Sequence, residues 1–499
     1  GITSPIYLDE ITTEGSLINT LQVPASVGVT SFSSKSELAL NLSANGNYLT
    51  FMAYQAPFNA LDVSNSNTPS VVDPTNPVGL SYYRQVIQLD TNGNFAATLT
   101  NAYSGNNGRA AVLASNGNYY TVGNAGNGGN PQPSGVVDGA GLQFIVPGAA
   151  PLLDPQPAGN FSVTQYGYPA DKLGKDDNFR GLTIFNNTIY VTKGSGGNGI
   201  NTVYQVGTPG TLPTPQNSTL PVTMTILPGF STVLAKSTTG VTYPFGIWFA
   251  NANTLYVADE GDGTAANDGT SKTSGLQKWV LINGTWQLAY VLQNGLNLGQ
   301  QYNVPNYPAT LNPAPDGLRN ITGRVNTDGT VTIWAITSTV SASGDQGADP
   351  NQLVTIDDVL ANTDPSVAAG EQFQVLRTAA YGEVLRGIAF TPGTTAPAAP
   401  ASISVVSSGL TYSRRTQTFN GTVTITNNGS SAITGPYYVL FSGLTNGVTL
   451  TNGITHNGLP AVQVLGAGAT LQPGQTASAA VSFSDPSFAV INYTPIVGQ

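Results

Sequence analysis

The 499-residue chain sets 26 acidic side chains against 16 basic ones, for a net charge of −10, and holds a single histidine and no cysteine. Its acidic balance repels phosphate backbones and anionic lipid, which argues against nucleic acid and membrane surfaces as partners. No apolar run is long enough for membrane insertion, and without cysteine there is no disulfide, no thiolate catalysis and no cysteine zinc site.

Abundant Thr, Val, Tyr and Ile favour strands, while Gly, Asn and Pro favour turns, so the chain is expected to be all-β. Residues 355–373 hold the one stretch that suggests a short helix. Few lysines, much Asn and Thr, no cysteine and a first residue that is not Met fit a processed bacterial protein, secreted to the medium or the cell surface.

A recurring phrase organises the chain. It runs ELALNLSANGNYLTF at 37–51, RAAVLASNGNYYTV at 109–122, RGLTIFNNTIYVT at 180–192, FGIWFANANTLYVA at 245–258 and RNITGRVNTDGTVTIWA at 319–335, and is cut short as RGIAFTP at 386–392. Each full copy is an apolar strand, an Asn-containing turn and a second strand, which is a hairpin signal. In four copies a tyrosine, at 48, 119, 190 or 256, marks the second strand. Two further strands follow each hairpin, as in YYRQVIQLD and NFAATLT. Four strands per repeat of roughly 70 residues predict a β-propeller over 1–392, with six blades, or seven if a long loop hides one. A Pro/Ala/Thr linker covers 393–402. Residues 403–499 carry about seven strand-like runs and predict an Ig-like or fibronectin-type β-sandwich without its disulfide.

The phrases FGIWFANANTLYVADEGDG, LRNITGRVNTDGTVTI and GEVLRGIAFTP resemble those of uncharacterised secreted bacterial β-propeller proteins. The tail GLTYSRRTQTFNGTVTITNNGSSAITGP resembles an immunoglobulin-like module at the C-termini of such proteins. The resemblance implies export and two domains, and implies no catalytic residue.

The residue that starts each innermost strand would stand at the channel mouth. Those residues are Glu37, Arg109, Arg180, Phe245, Arg319 and Arg386, so four of the nine arginines share one register. Two readings follow. The ring bridges neighbouring blades, pairing with backbone carbonyls and with acids such as Asp177, Asp316 and Glu383; or it binds an anionic ligand through bidentate bonds. Loops on the same face carry Asp259, Glu260, Asp262 and Asp268, then Asp345 and Asp349, which could wrap Ca²⁺ or simply be solvated Asp-Gly turns. No cofactor is required by any motif. Tyr54, Tyr166, Tyr168, Tyr243, Tyr302, Tyr307 and Tyr381 would either pack between blades or contact a glycan.

With His456 alone, and in the second domain, no histidine base serves the first. Carboxylate pairs among Asp176, Asp177, Asp259, Glu260 and Glu383 keep open a secreted hydrolase or lyase acting on an anionic polymer or phosphate ester. The favoured reading is an exported surface or matrix protein that binds a glycan or cell-surface partner, scaffolds, or assembles as a homo-oligomer or filament. The closing blade motivates assembly. Built from 386–392 and 1–36, with strands at 6–12 and 16–24, it is one strand short of its neighbours. A donated strand, for which 488–499 is a candidate, would complete it.

Overall fold

The computed structural model describes all residues except 33, 72–77, 125–140, 154, 172–174, 265–266, 268–270, 327, 344–346, 395–402, 429–431, 457–458, 473 and 499. The protein is all-β, and its only α-helix among the described residues is the single turn Pro365–Ala368, capped by the Asp364 side chain on Ser366 N–H. Such an architecture fits a propeller-like arrangement.

The chain begins with four short strands, β1 (Thr3–Ser4), β2 (Tyr7–Ile11), β3 (Leu17–Gln22) and β4 (Thr30–Ser31), with β2 paired to β3 and β1 to β4. A four-stranded antiparallel meander follows: β5 (Asn41–Leu42), β6 (Tyr48–Tyr54), β7 (Arg84–Asp90) and β8 (Phe95–Thr100). The second meander is β9 (Gly108–Leu113), β10 (Tyr119–Gly123), β11 (Leu142–Ile145) and β12 (Gln156–Asn160); the third is β13 (Leu182–Phe185), β14 (Thr188–Lys193), β15 (Thr202–Val206) and β16 (Val222–Ile226). Their outermost strands meet in a parallel pairing, Gly159 with Val222 and Asn160 with Thr223, which fuses the two into one eight-stranded sheet. The fourth comprises β17 (Pro244–Asn251), β18 (Thr254–Asp259), β19 (Gly275–Ile282) and β20 (Thr285–Leu292), and the fifth β21 (Ala314–Val325), β22 (Thr330–Val340), β23 (Gln352–Val359) and β24 (Gln374–Thr378).

Turn chemistry sets the register of these hairpins. Asn186 and Asn187 both take positive φ, 48° and 53°, and close a two-residue loop between the paired Phe185 and Thr188. Asn283 and Gly284, at 50° and 80°, do the same between Ile282 and Thr285. Two left-handed residues in succession match the twist of the flanking strands, and Asn and Gly tolerate that conformation best.

The apolar cores lie between sheets. One extends through the second, third and fourth meanders, from Val112 and Tyr120 through Tyr204 to Phe249 and Trp286. A second joins the fourth and fifth through Tyr256, Leu292, Ile333 and Ile356. The N-terminal hairpin packs on the first meander through Ile6, Val23, Leu38 and Phe51. Residues 385–390 pack on the fifth through Trp334, Ile336 and Leu353, together with Ile11. Arg377 on β24 pairs with Asp9 on β2, and Trp334 Nε1 donates to Thr13 O at 2.9 Å. Thus the two ends of this region are tied to each other.

After residue 402 come β25 (Ile403–Ser407), β26 (Thr411–Ser413), β27 (Thr418–Asn427), β28 (Ile433–Thr434), β29 (Tyr437–Ser442), β30 (Thr449–Leu450), β31 (Ile454–His456), β32 (Leu459–Leu465), β33 (Thr470–Leu471), β34 (Thr476–Ser484) and β35 (Thr494–Gly498). One sheet runs β25-β27-β34-β30 and another β31-β32-β29-β35, and the apolar cluster they share draws on residues 403–497 alone.

A buried polar knot holds the fourth and fifth meanders together. Lys278 Nζ lies 2.9 Å from Asp358, both side chains fully buried, and also donates to Tyr290 Oη and Val359 O. Tyr256 and Tyr290 donate to the same Asp358 carboxylate. Glu371 accepts from Val359 N–H at 3.2 Å, and its Oε2 is buried without a partner. Burial, and then the Asp358 carboxylate beside it, push the Glu371 carboxyl up to about 8. The folded protein therefore keeps a proton on Glu371 that the unfolded chain releases above its ordinary value of 4.5. Stability from this group is full at low pH and is lost as pH rises toward 8. Thermal melts between pH 5 and 9 should show this decline, and Glu371→Gln, which keeps a neutral side chain beside Asp358, should flatten it.

Candidate functional site

Contacts between the segments that carry the six predicted mouth residues follow one another from sheet to sheet. From the first to the second, Ala39 N–H donates to Arg109 O, and Thr50 Oγ1 and Asn41 Nδ2 both reach Ala111 O. Next, Arg109 Nη1 donates to Phe179 O at 2.6 Å and to the Asn178 side chain. From the third to the fourth, Thr192 Oγ1 donates to Phe245 O at 2.6 Å. Between the fourth and fifth, Arg319 Nε donates to Glu260 Oε2 at 3.2 Å, and the Ser338 hydroxyl reaches Glu260 O. Asn320 Nδ2 then donates to Arg386 O at 2.8 Å. Finally Arg386 donates to the carbonyls of Phe32 and Ser34, and to Gly347 O.

Such close approach requires glycine just after two of the mouth arginines. A Cβ built on Gly181 would lie 1.9 Å from Phe245 O, and one on Gly387 would lie 2.3 Å from Leu38 O. Both are far inside contact distance of backbone that cannot step aside. At 180–181 and at 386–387 the glycine admits the neighbouring backbone; Arg386 then bonds across to Phe32 and Ser34, while Arg180 bonds Ser195 of its own segment.

Partners at the mouth differ from the expected acids. Asp177 accepts from Phe161 N–H at 2.9 Å and Glu383 from Ala380 N–H at 3.2 Å, each within its own segment, while Asp316 on the fifth meander accepts from Gly263 N–H of the fourth at 2.9 Å. The acid that meets the arginines is Glu260, which sequence reasoning placed among candidate calcium ligands. It pairs with Arg319 and, at 3.4 Å, with Lys35. Burial pushes its carboxyl up, but Lys35, Arg180 and Arg319 hold it down at about 2. Lys35 was missed because it stands two residues before the repeat phrase, in a segment with no counterpart in the other copies.

Glu37 is buried and fully occupied. It accepts from Thr30 Oγ1 and Ser31 N–H, each at 3.1 Å, from Asn107 Nδ2 at 3.2 Å and from the Tyr54 hydroxyl. Phe245 is wholly buried, and the Arg180 guanidinium lies 5.9 Å from its ring centre. Arg180 also donates to the Ser195 hydroxyl, whose backbone carbonyl accepts from Lys193 Nζ at 2.7 Å. Burial, and then repulsion from Arg180, lower Lys193 to about 7.

The described candidate calcium residues each hold partners of their own. Asp259 is buried and accepts from Tyr243 N–H at 2.9 Å, Gly261 N–H at 3.0 Å and Gln277 Nε2 at 3.2 Å; burial raises its carboxyl to about 6. Asp262 accepts from Thr264 N–H and Asn267 Nδ2 within its own turn. Asp349 accepts from Tyr307, Ser341 and Ser343 hydroxyls. Asp268 and Asp345 lie outside the described residues. Among the described residues no three His, Cys, Asp or Glu side chains are grouped as a metal site. His456 lies on β31, stacked on Tyr438 with ring centres 4.1 Å apart.

No protein-family model matches the chain, and no curated protein does. Among solved structures, it is similar to an exo-β-1,3-galactanase from Phanerochaete chrysosporium at 9% identity and a TM-score of 0.32, over 99% of this chain and 98% of that one. A chain from a structure of S. cerevisiae dbp5 bound to nup159, gle1, ip6 and adp aligns at 8% identity and a TM-score of 0.25, over 91% of each. At these scores neither likeness carries an argument about fold or function.

Glu260 offers a test of the mouth's energetics. Its folded carboxyl titrates below the ordinary 4.5, so its contribution is present at neutral pH and is lost as pH falls toward 2. Glu260→Gln leaves Lys35, Arg180 and Arg319 facing one another without their anion. The variant should lose about 3–5 kcal/mol at pH 7 in urea unfolding, and less at pH 3.

Proposed function

We propose that the protein is an exported, non-catalytic scaffold that assembles by accepting a β-strand into its closing sheet. In this reading residues 1–392 form a six-bladed propeller, 393–402 a linker and 403–499 an Ig-like sandwich. Five blades are the five meanders; the sixth is made of residues 386–392 with β2 and β3.

The observation that carries the proposal is the state of Gly387–Phe390. In the other copies the residue directly after the mouth position is buried: Leu38, Ala110, Gly181, Gly246 and Asn320 all are. Its counterpart Gly387 is half-exposed, as are Ile388 through Phe390. They were expected to form the innermost strand, yet they pair with nothing: among the described residues their N–H and C=O groups have no hydrogen-bond partner. On the other side β2 pairs only with β3, which leaves its second edge open. Two unpaired edges with apolar side chains from Trp334, Leu376 and Ile388 on one flank, and Leu8 and Leu40 on the other, are what an incoming strand satisfies. Tyr7, Leu17 and Ile18 on the same hairpin are 56%, 56% and 61% exposed, an apolar surface suited to burial against another molecule.

The chain's own linker is a poor occupant, because Pro397 and Pro400 have no N–H to give a central strand. The C-terminal run is not idle either. Its β35 pairs with β29, and Ile491, Tyr493 and Val497 pack into the sandwich core. A donor drawn from 488–499 would first have to leave that core, so a second copy would more readily donate another extended, β-branched segment. Head-to-tail donation that does not close on itself yields a filament.

Sedimentation over a concentration series should show polymers. Hydrogen exchange should show the amides of Gly387–Phe390 and of Tyr7, Asp9 and Ile11 unprotected in monomers and protected in polymers. A protein that stays monomeric at high concentration with these amides already protected would end the reading.

A further inference from the structure

Two arginines of the mouth keep donors that nothing takes up. Arg109, Arg180 and Arg319 are at most 5% exposed, and the carboxylates beside them among the described residues are Glu37 and Glu260. Glu37 is already saturated by four donors. Glu260 is shared between Lys35 and Arg319. Among the described residues Arg109 and Arg180 form no ion pair: Arg109 spends Nη1 on Asn178 and Phe179, and Arg180 spends Nη2 on Ser195. The Nε–H of each is buried without any partner.

Buried guanidinium donors left unpaired cost free energy, and so does uncompensated buried charge. The cations are close enough to feel one another. Burial, and then repulsion from Arg180, lower Arg109 well below its ordinary range; burial, and then Arg319, lower Arg180. Lys35 is drawn up by Glu260, but burial and repulsion from Arg319 and Arg180 outweigh that and bring it down to about 8. Its side chain, 30% exposed, is the cation of this group most open to solvent. Phe245 stands in the register where a fifth arginine would otherwise be, and supplies an apolar wall beside Arg180.

We propose that this cluster is a binding site for a small oxyanion group, a carboxylate or a phosphate, held by the unpaired donors of Arg109 and Arg180 and reached past Lys35. The planar guanidinium fork matches the two oxygens of such a group, and a lysine at the entrance adds a mobile point charge. The bound anion would take the place of a third carboxylate in the cluster. This site is independent of strand addition: it lies at the mouth and uses no residue of the closing edge.

Calorimetric titration of the full chain with inorganic phosphate and with citrate, each against sodium chloride at matched ionic strength, tests the proposal. Saturable binding of either is expected, with a melting temperature that rises with the logarithm of its concentration. Phosphate alone assigns a phosphate group, and citrate alone a carboxylate. Lys35→Gln, which leaves the buried arginines in place, should weaken binding about tenfold, the loss of one charged contact. Lys272→Gln, on an exposed stretch, should leave it unchanged. Heats and melting shifts no larger than those of chloride, or equal binding in the Lys35→Gln variant, would overturn the proposal.

Discussion

The whole first region depends on backbone meeting backbone at its centre. Gly181 against Phe245 O and Gly387 against Leu38 O leave no room for a methyl group. Once the innermost segments are that close, carbonyls come within reach of neighbours' side chains, and the sequence supplies one at each step: Thr50, Arg109, Thr192, Ser338, Asn320 and Arg386. These bonds run between sheets and the ladders run within them. The two sets together leave few backbone groups of the interior unsatisfied, which is the condition for burying them at all.

Arginine serves at this centre because one side chain can span the gap and still satisfy several acceptors. Arg84 shows the extreme case away from the mouth: fully buried, it donates to the carbonyls of Tyr82, Ser64, Ser66 and Asn106 without any carboxylate. Carbonyl dipoles can hold a guanidinium in place of an anion when enough of them converge. At the mouth they do not converge on Arg109 and Arg180 to the same degree, and each keeps an unpaired Nε–H. Arg84 is thus satisfied by backbone alone, and Arg109 and Arg180 are not.

The closing seam is built differently from the others. Meanders made of consecutive strands pay for loop closure locally, whereas the seam must bring residues 6–22 to residues 377–390. Arg377 with Asp9 and Trp334 with Thr13 make that connection at the outer side, while Gly387–Phe390 remain without a ladder. Order there is held by side-chain packing more than by backbone pairing.

Much of this was legible in residues alone. Asn-Asn and Asn-Gly turns between β-branched runs announce hairpins, because a positive φ at two successive positions admits little else. The recurrence of one phrase places Glu37, Arg109, Arg180, Phe245, Arg319 and Arg386 at equivalent positions before any coordinates, and a shortage of residues in the last copy marks the seam. Partners were not legible. Glu260 reads as one acid in an Asp-rich loop, and only folding sets it between Lys35 and Arg319, residues 225 and 59 positions away. Asp259, its neighbour, turns instead to backbone N–H groups. Adjacent carboxylates in a strand point to opposite sides, so their environments are chosen by what the sheet packs against and not by their sequence neighbours. Periodicity determined which residues share a position. The tertiary structure decided which charges meet, because pairing energy depends on distance and burial, and neither is encoded locally.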